Sequence, residues 1–79
     1  MPNETLPQTG DVWVHASTKR KYEVLAVGFD AARDEPVVLY REHTKPGSKI
    51  YSRPVSNHPK AWFSTFDGGV PRFFKFEKY

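Results

Sequence analysis

The stretch Ala61-Trp62-Phe63-Ser64-Thr65-Phe66-Asp67-Gly68-Gly69-Val70-Pro71-Arg72-Phe73-Phe74 decides the fold. Two aromatic-rich runs flank Asp67-Gly68-Gly69, whose glycines can supply the positive φ that a tight hairpin turn needs. The pattern predicts one strand over 61–66 and another over 70–76, folded back on each other. In the second, Phe73 and the aliphatic stem of Lys75 share one face, while Arg72, Phe74 and Phe76 share the other.

Working outward, Arg53-Pro54 closes a short strand predicted over Lys49–Ser52, and Val55–Lys60 is an irregular link. Before it, Pro36 opens a strand over Val37–Glu42, followed by a loop over His43–Ser48 with Pro46-Gly47 as its turn signal. Tyr22–Phe29 is rich in β-branched and aromatic residues and reads as a strand, with Gly28 suggesting a bulge or bend near its end. Asp11–His15 alternates with period two, placing Val12 and Val14 on one face and Trp13 and His15 on the other. Residues 1–9 are polar, contain two prolines, and read as a loose N-terminal arm ahead of one domain over 10–79. Five or six short, strongly bent antiparallel strands in 79 residues fit a small all-β barrel.

Composition narrows the chemistry. A chain of 79 residues buries only about 60% of its unfolded surface, so its core is small. Cysteine is absent, which removes disulfide staples, thiolate metal ligands and a thiol nucleophile. Aromatic burial is the remaining stapling device, at 15% Phe, Trp and Tyr. The net charge of +3 permits an anionic partner without requiring one. The first ten residues lack the basic and apolar segments of a signal peptide, and no apolar run has membrane-spanning length, so a cytoplasmic protein without a membrane partner is expected.

The order of short motifs resembles a family of very small bacterial and phage proteins classed as a domain of unknown function. Trp13-Val14-His15, Tyr22-Glu23-Val24-Leu25, Glu35 ahead of Val37-Val38-Leu39-Tyr40, Tyr51-Ser52-Arg53-Pro54, Trp62-Phe63 and Val70-Pro71-Arg72-Phe73 carry the resemblance, from Gly10 to about Phe76. It implies an SH3-like β-barrel and no established activity. The chain departs from the family's pattern in two loops, at Ala16–Arg20 and at Ala32–Glu35.

Candidate functional residues follow from chemistry. Arg53 and Arg72 each adjoin a proline, and a guanidinium can grip phosphate or carboxylate with two N–H groups or stack on a ring. The competing role is structural: a tie to Glu35 or Asp67, or a seat on Trp62. Trp13, Tyr40, Tyr51 and Trp62 could form a stacking platform, though at least two of them are needed in the core. His15 shares the face of Trp13 and could contact a ligand, or could be a half-buried histidine bonded to a backbone carbonyl. Lys19-Arg20-Lys21 is a basic tip suited to phosphates, or simply a solvated turn.

His15, His43 and His58 lack the paired spacing of a metal site, and no cofactor is expected. The serines lie in no nucleophile-elbow context, so no catalytic residue is expected. The reading is a non-enzymatic binding module whose aromatic–arginine rim takes a nucleotide or single-stranded nucleic-acid segment. The alternative is a protein-interaction module, such as a phage or mobile-element accessory protein that docks on a host protein. A monomer or weak dimer is expected.

Overall fold

The computed structural model describes residues 6–45 and 47–76. The strands are β1 (Val12–His15), β2 (Lys21–Asp30), β3 (Glu35–Glu42), β4 (Tyr51–Pro54), β5 (Thr65–Phe66), β6 (Val70–Pro71) and β7 (Phe73–Lys75), with one 3₁₀ turn at Asp67–Gly69. Five of them form one antiparallel sheet in the order β4-β3-β2-β1-β7, and β5 pairs with β6. The fold is the small all-β, barrel-like domain expected from the sequence.

Side-chain alternation builds the interior. Trp13 lies opposite Tyr22, and Val24 opposite Tyr40, so these residues share the inner face. The same face continues through Val38 and reaches Phe73, which pairs with His15. Trp13, Val24, Val38, Tyr40, Val55, Trp62 and Phe73 form one buried cluster.

The sheet has two end strands, β4 and β7, and the segment 55–64 spans the gap between them. Trp62 N–H donates to Pro54 O (2.7 Å) and Phe63 N–H to Val55 O (3.2 Å), which ties the segment to β4. Ser64 O accepts from Arg72 N–H (2.9 Å), which ties it to the start of β7. The Trp62 ring is 0% exposed and stacks on Phe73 at 3.9 Å between centroids, 5° from parallel. Tyr40 and Trp13 meet it edge-on at 5.1 and 5.6 Å. Trp62 therefore plugs the barrel. At the far end of the segment, His58 Nε2 sits 2.8 and 2.9 Å from the two Glu35 oxygens, pinning the link to the start of β3.

Several boundaries differ from the sequence reading. Ala61–Ser64 is turn rather than strand, because Ser64 N–H and Oγ–H both donate to Ala61 O and curl the chain until Trp62 faces inward. The fourth strand begins later and keeps Arg53-Pro54: proline costs no ladder bond at this position, and its carbonyl receives Trp62. The register shift in β2 falls at Leu25, between Val24 and Ala26, and Gly28 pairs regularly with Val37. The expected arm over 1–9 is not loose at its end: Pro7 is buried, and Gln8 N–H donates to the Asp11 carboxylate (2.9 Å). Residues 1–5, Pro46 and 77–79, which include parts of the arm and of the Pro46-Gly47 turn, lie outside the described residues.

Truncating the plug removes both its packing and the bridge between the end strands. Trp62→Ala is expected to cost about 3–5 kcal/mol, as large aromatic deletions in cores do, against a total stability of roughly 5 kcal/mol for so small a domain. Urea titration followed by near-ultraviolet circular dichroism measures it: the variant should be mostly unfolded without denaturant, and a midpoint close to that of the parent would refute the plug.

Candidate functional site

One mouth of the barrel gathers inner-face residues at the edge of the core. His15 ends β1, Tyr22 is the second residue of β2, Tyr40 lies near the end of β3, and Tyr51 begins β4. Antiparallel pairing brings these ends together. Tyr51 pairs with Tyr40 and Arg53 with Val38, so both β4 side chains point to the inner face. With Thr18 and Phe73 they surround a recess of about 220 Å³.

Arg53 is held at both ends of its guanidinium. Its Nε–H donates to Tyr40 Oη (3.0 Å) and an Nη1–H to Lys60 O (2.6 Å). Its Cζ lies 5.5 Å from the centre of the Phe73 ring. Arg72 sits in the bend between β6 and β7, where strand alternation breaks. The bend turns it back toward Ser64, whose Oγ accepts from its Nε–H (2.8 Å), and over the Phe66 ring at 4.5 Å. His15 packs edge-on to Phe73 at 5.1 Å and Phe66 at 5.7 Å, so the imidazole and the two guanidiniums share these two rings as neighbours. His15 Nδ1 accepts from Thr18 N–H (3.4 Å), which leaves Nε2 as the protonated nitrogen of the neutral ring.

The two guanidiniums repel each other, and both oppose protonation of His15. Burial, then Arg72, then Arg53 hold the His15 pKa below the ordinary imidazole value. Burial and then Arg53 likewise lower Arg72, which nevertheless stays charged at neutral pH. Burial first, then Glu42, raises Tyr22, so its phenol is protonated. Among the described residues, no carboxylate lines the recess. Glu42, opposite Tyr22 in the register, faces Arg20 (3.7 Å) and Lys45 (3.9 Å), and Glu35 faces His58 and Arg33.

Of the residues singled out from sequence, the structure brings His15, Tyr40, Tyr51 and Arg53 to one recess, with Arg72 beside it. It separates Trp13 and Trp62 from them. Trp62 is wholly buried, and Trp13, 6% exposed, borders a different groove, so neither offers a stacking face at this mouth. Lys19, Arg20 and Lys21 diverge: Lys19 occupies a left-handed turn position at φ 64°, Arg20 faces Glu42, and Lys21 lies over Phe76 at 4.2 Å. Lys21 already belongs to β2. Tyr22, Thr18 and Phe73 were missed as lining residues. Alternation in β2 puts Tyr22 on Val24's face, a usable signal, but which strand ends meet depends on register.

Two larger grooves lie elsewhere. One of about 550 Å³ runs along the outer face past Lys21, His43 and Phe76. The other, about 340 Å³ and largely apolar, lies between Leu6, Trp13, Phe63 and Pro71. Asp11 and Lys75 border both grooves and pair with each other at 3.8 Å, and Lys21, in the larger groove, lies over the Phe76 ring. Among the described residues, no cluster of three or more His, Asp or Glu is placed to hold a metal ion, and no helix is long and apolar enough to cross a membrane. Compared against family models, curated proteins and solved structures, the chain matches none.

The lowered His15 pKa fixes the sign of a pH effect. The unfolded chain takes up a proton at His15 near the ordinary value of about 6.5, whereas the folded barrel resists it to lower pH. Stability is therefore full above that value, falls as pH drops below it, and levels off beneath the folded value. In urea titrations between about pH 8 and pH 5, His15→Gln should lose less stability than the parent. Parallel curves would show that His15 does not titrate in this way.

Proposed function

We propose that the barrel is a binding module whose rim takes an anionic ligand carrying a planar group, a nucleotide or a single-stranded nucleic-acid segment. The observation that carries this reading is the convergence of Arg53, Arg72 and His15 at one mouth without a carboxylate among them. Charged groups that compensate one another are commonplace in small folds. Groups that repel one another are retained at a cost, and an anion relieves it. Tyr51, 43% exposed and tilted against Tyr40 at 5.5 Å, supplies a ring on which a base can stack. Since the family resemblance implies no activity, the reading rests on this geometry.

A second reading, docking on another protein, draws on the apolar groove beside Trp13 and on exposed Phe29 and Phe74. It requires a partner whose binding tolerates salt, whereas the rim reading requires binding that weakens steeply with salt.

Heteronuclear NMR titration with nucleotides and short single strands separates the two. Shifts are expected at His15, Tyr51 and Arg53, with affinity falling as salt rises. Arg53→Lys keeps the charge but loses the planar fork, and should weaken binding by about tenfold, the loss of one charge-assisted hydrogen bond. Because Arg53 also braces the fold, Arg72→Gln is the companion variant and should weaken binding in the same direction. Unchanged affinity in both variants, with dispersed spectra, refutes the rim.

A further inference from the structure

The hydrogen-bonding character of the recess is one-sided. Thr18 Oγ1 already accepts from Arg20 N–H (3.3 Å), so its O–H is left to donate. Tyr40 Oη already accepts from Arg53 Nε–H (3.0 Å), and its own proton is likewise left over. Thr18 N–H occupies His15 Nδ1 (3.4 Å), so the ring offers Nε2–H. Tyr22 and Tyr51 add phenolic protons to the same recess. Among the described residues, Arg53 Nη2 has no partner, and its two N–H groups are available. Hydroxyl, imidazole and guanidinium donors thus surround the recess, and among the described residues that line it none is a carboxylate.

A ligand that fits brings acceptors and negative charge. A neutral nucleobase edge has acceptors but leaves the Arg53 and Arg72 charges uncompensated. A phosphodiester offers one charge and two free oxygens. A phosphate monoester offers three oxygens and close to two charges at neutral pH. The space agrees: about 220 Å³ is below the roughly 300–1,000 Å³ of pockets that enclose whole drug-sized ligands. It suits a head group, with the remainder of the ligand lying outward across Tyr51.

We infer that the recess bounded by His15, Thr18, Tyr22, Tyr40 and Arg53 binds the terminal phosphoryl group of a phosphate monoester, carried by a free nucleotide or by the 5′ end of a single strand, in preference to an internal phosphodiester. This rests on the reading of the rim as an anion site.

The test is an NMR titration of the full chain at low salt with five probes: inorganic phosphate, adenosine, adenosine 5′-monophosphate, and a short oligonucleotide with a 5′-hydroxyl or a 5′-phosphate. Inorganic phosphate and the monophosphate should shift His15, Tyr51 and Arg53, and adenosine should not. The 5′-phosphorylated strand should bind at least about tenfold tighter than its 5′-hydroxyl counterpart, one charge-assisted hydrogen bond's worth of discrimination. Thr18→Val, at an exposed turn, should narrow that ratio. Equal affinity for the two strands overturns the terminal-phosphate inference and leaves the anion reading standing. No response to any anion overturns both. Comparison of the monophosphate with the phosphorylated strand assigns the source.

Discussion

The stack of Trp62 on Phe73 is the contact on which the rest of this structure depends. The five-stranded sheet ends in β4 on one side and β7 on the other, and a sheet with open ends does not by itself enclose a core. Trp62 belongs to β4 through its backbone bond to Pro54 and to β7 through its ring. One residue thus performs a closure that hydrogen-bond ladders perform in a fully closed barrel. In a chain of 79 residues without cysteine, this aromatic contact does the cross-linking that disulfides provide in other mini-proteins.

Phe73 extends that dependence to the rim. One face of its ring lies against Trp62, while His15 and Arg53 pack around it from the mouth of the barrel. The floor of the recess is therefore the wall of the core. Arg53, clamped between Tyr40 Oη and Lys60 O, is fixed before any ligand arrives, so less side-chain entropy remains to be lost on binding. The candidate site is stiff because the fold is small and the same rings serve both.

Much of this was legible in the sequence, and the limits have physical causes. Period-two patterning located β1, β-branched and aromatic content located β2, Pro36 marked the start of β3, and Asp67-Gly68-Gly69 marked the hairpin, because alternation, strand propensity and positive φ leave direct traces in residue type. The adjacent Trp62-Phe63 pair looked like strand. A turn held by Ser64 gives it another role, and a local serine hydrogen bond leaves no such trace. Alternation alone sent Arg72 away from Phe73's face; the bend at Arg72 brought it back to His15 and Arg53. Chemistry picked out Arg53, Tyr40, Tyr51 and His15, and the fold brings these four to one recess. The same reasoning misplaced Trp13 and Trp62 among the rim residues, since exposure is decided by register rather than by composition.

The mutual repulsion at the rim has a consequence for the molecule in any solution. Arg53, Arg72 and His15 come from β4, from the bend before β7 and from β1, so their crowding exists only in the folded chain. Any small anion that settles among them binds the folded form and not the unfolded one, and draws the folding equilibrium toward the native state by mass action. If the rim takes an anion as proposed, the apparent melting temperature of this barrel becomes a joint property of the protein and its buffer.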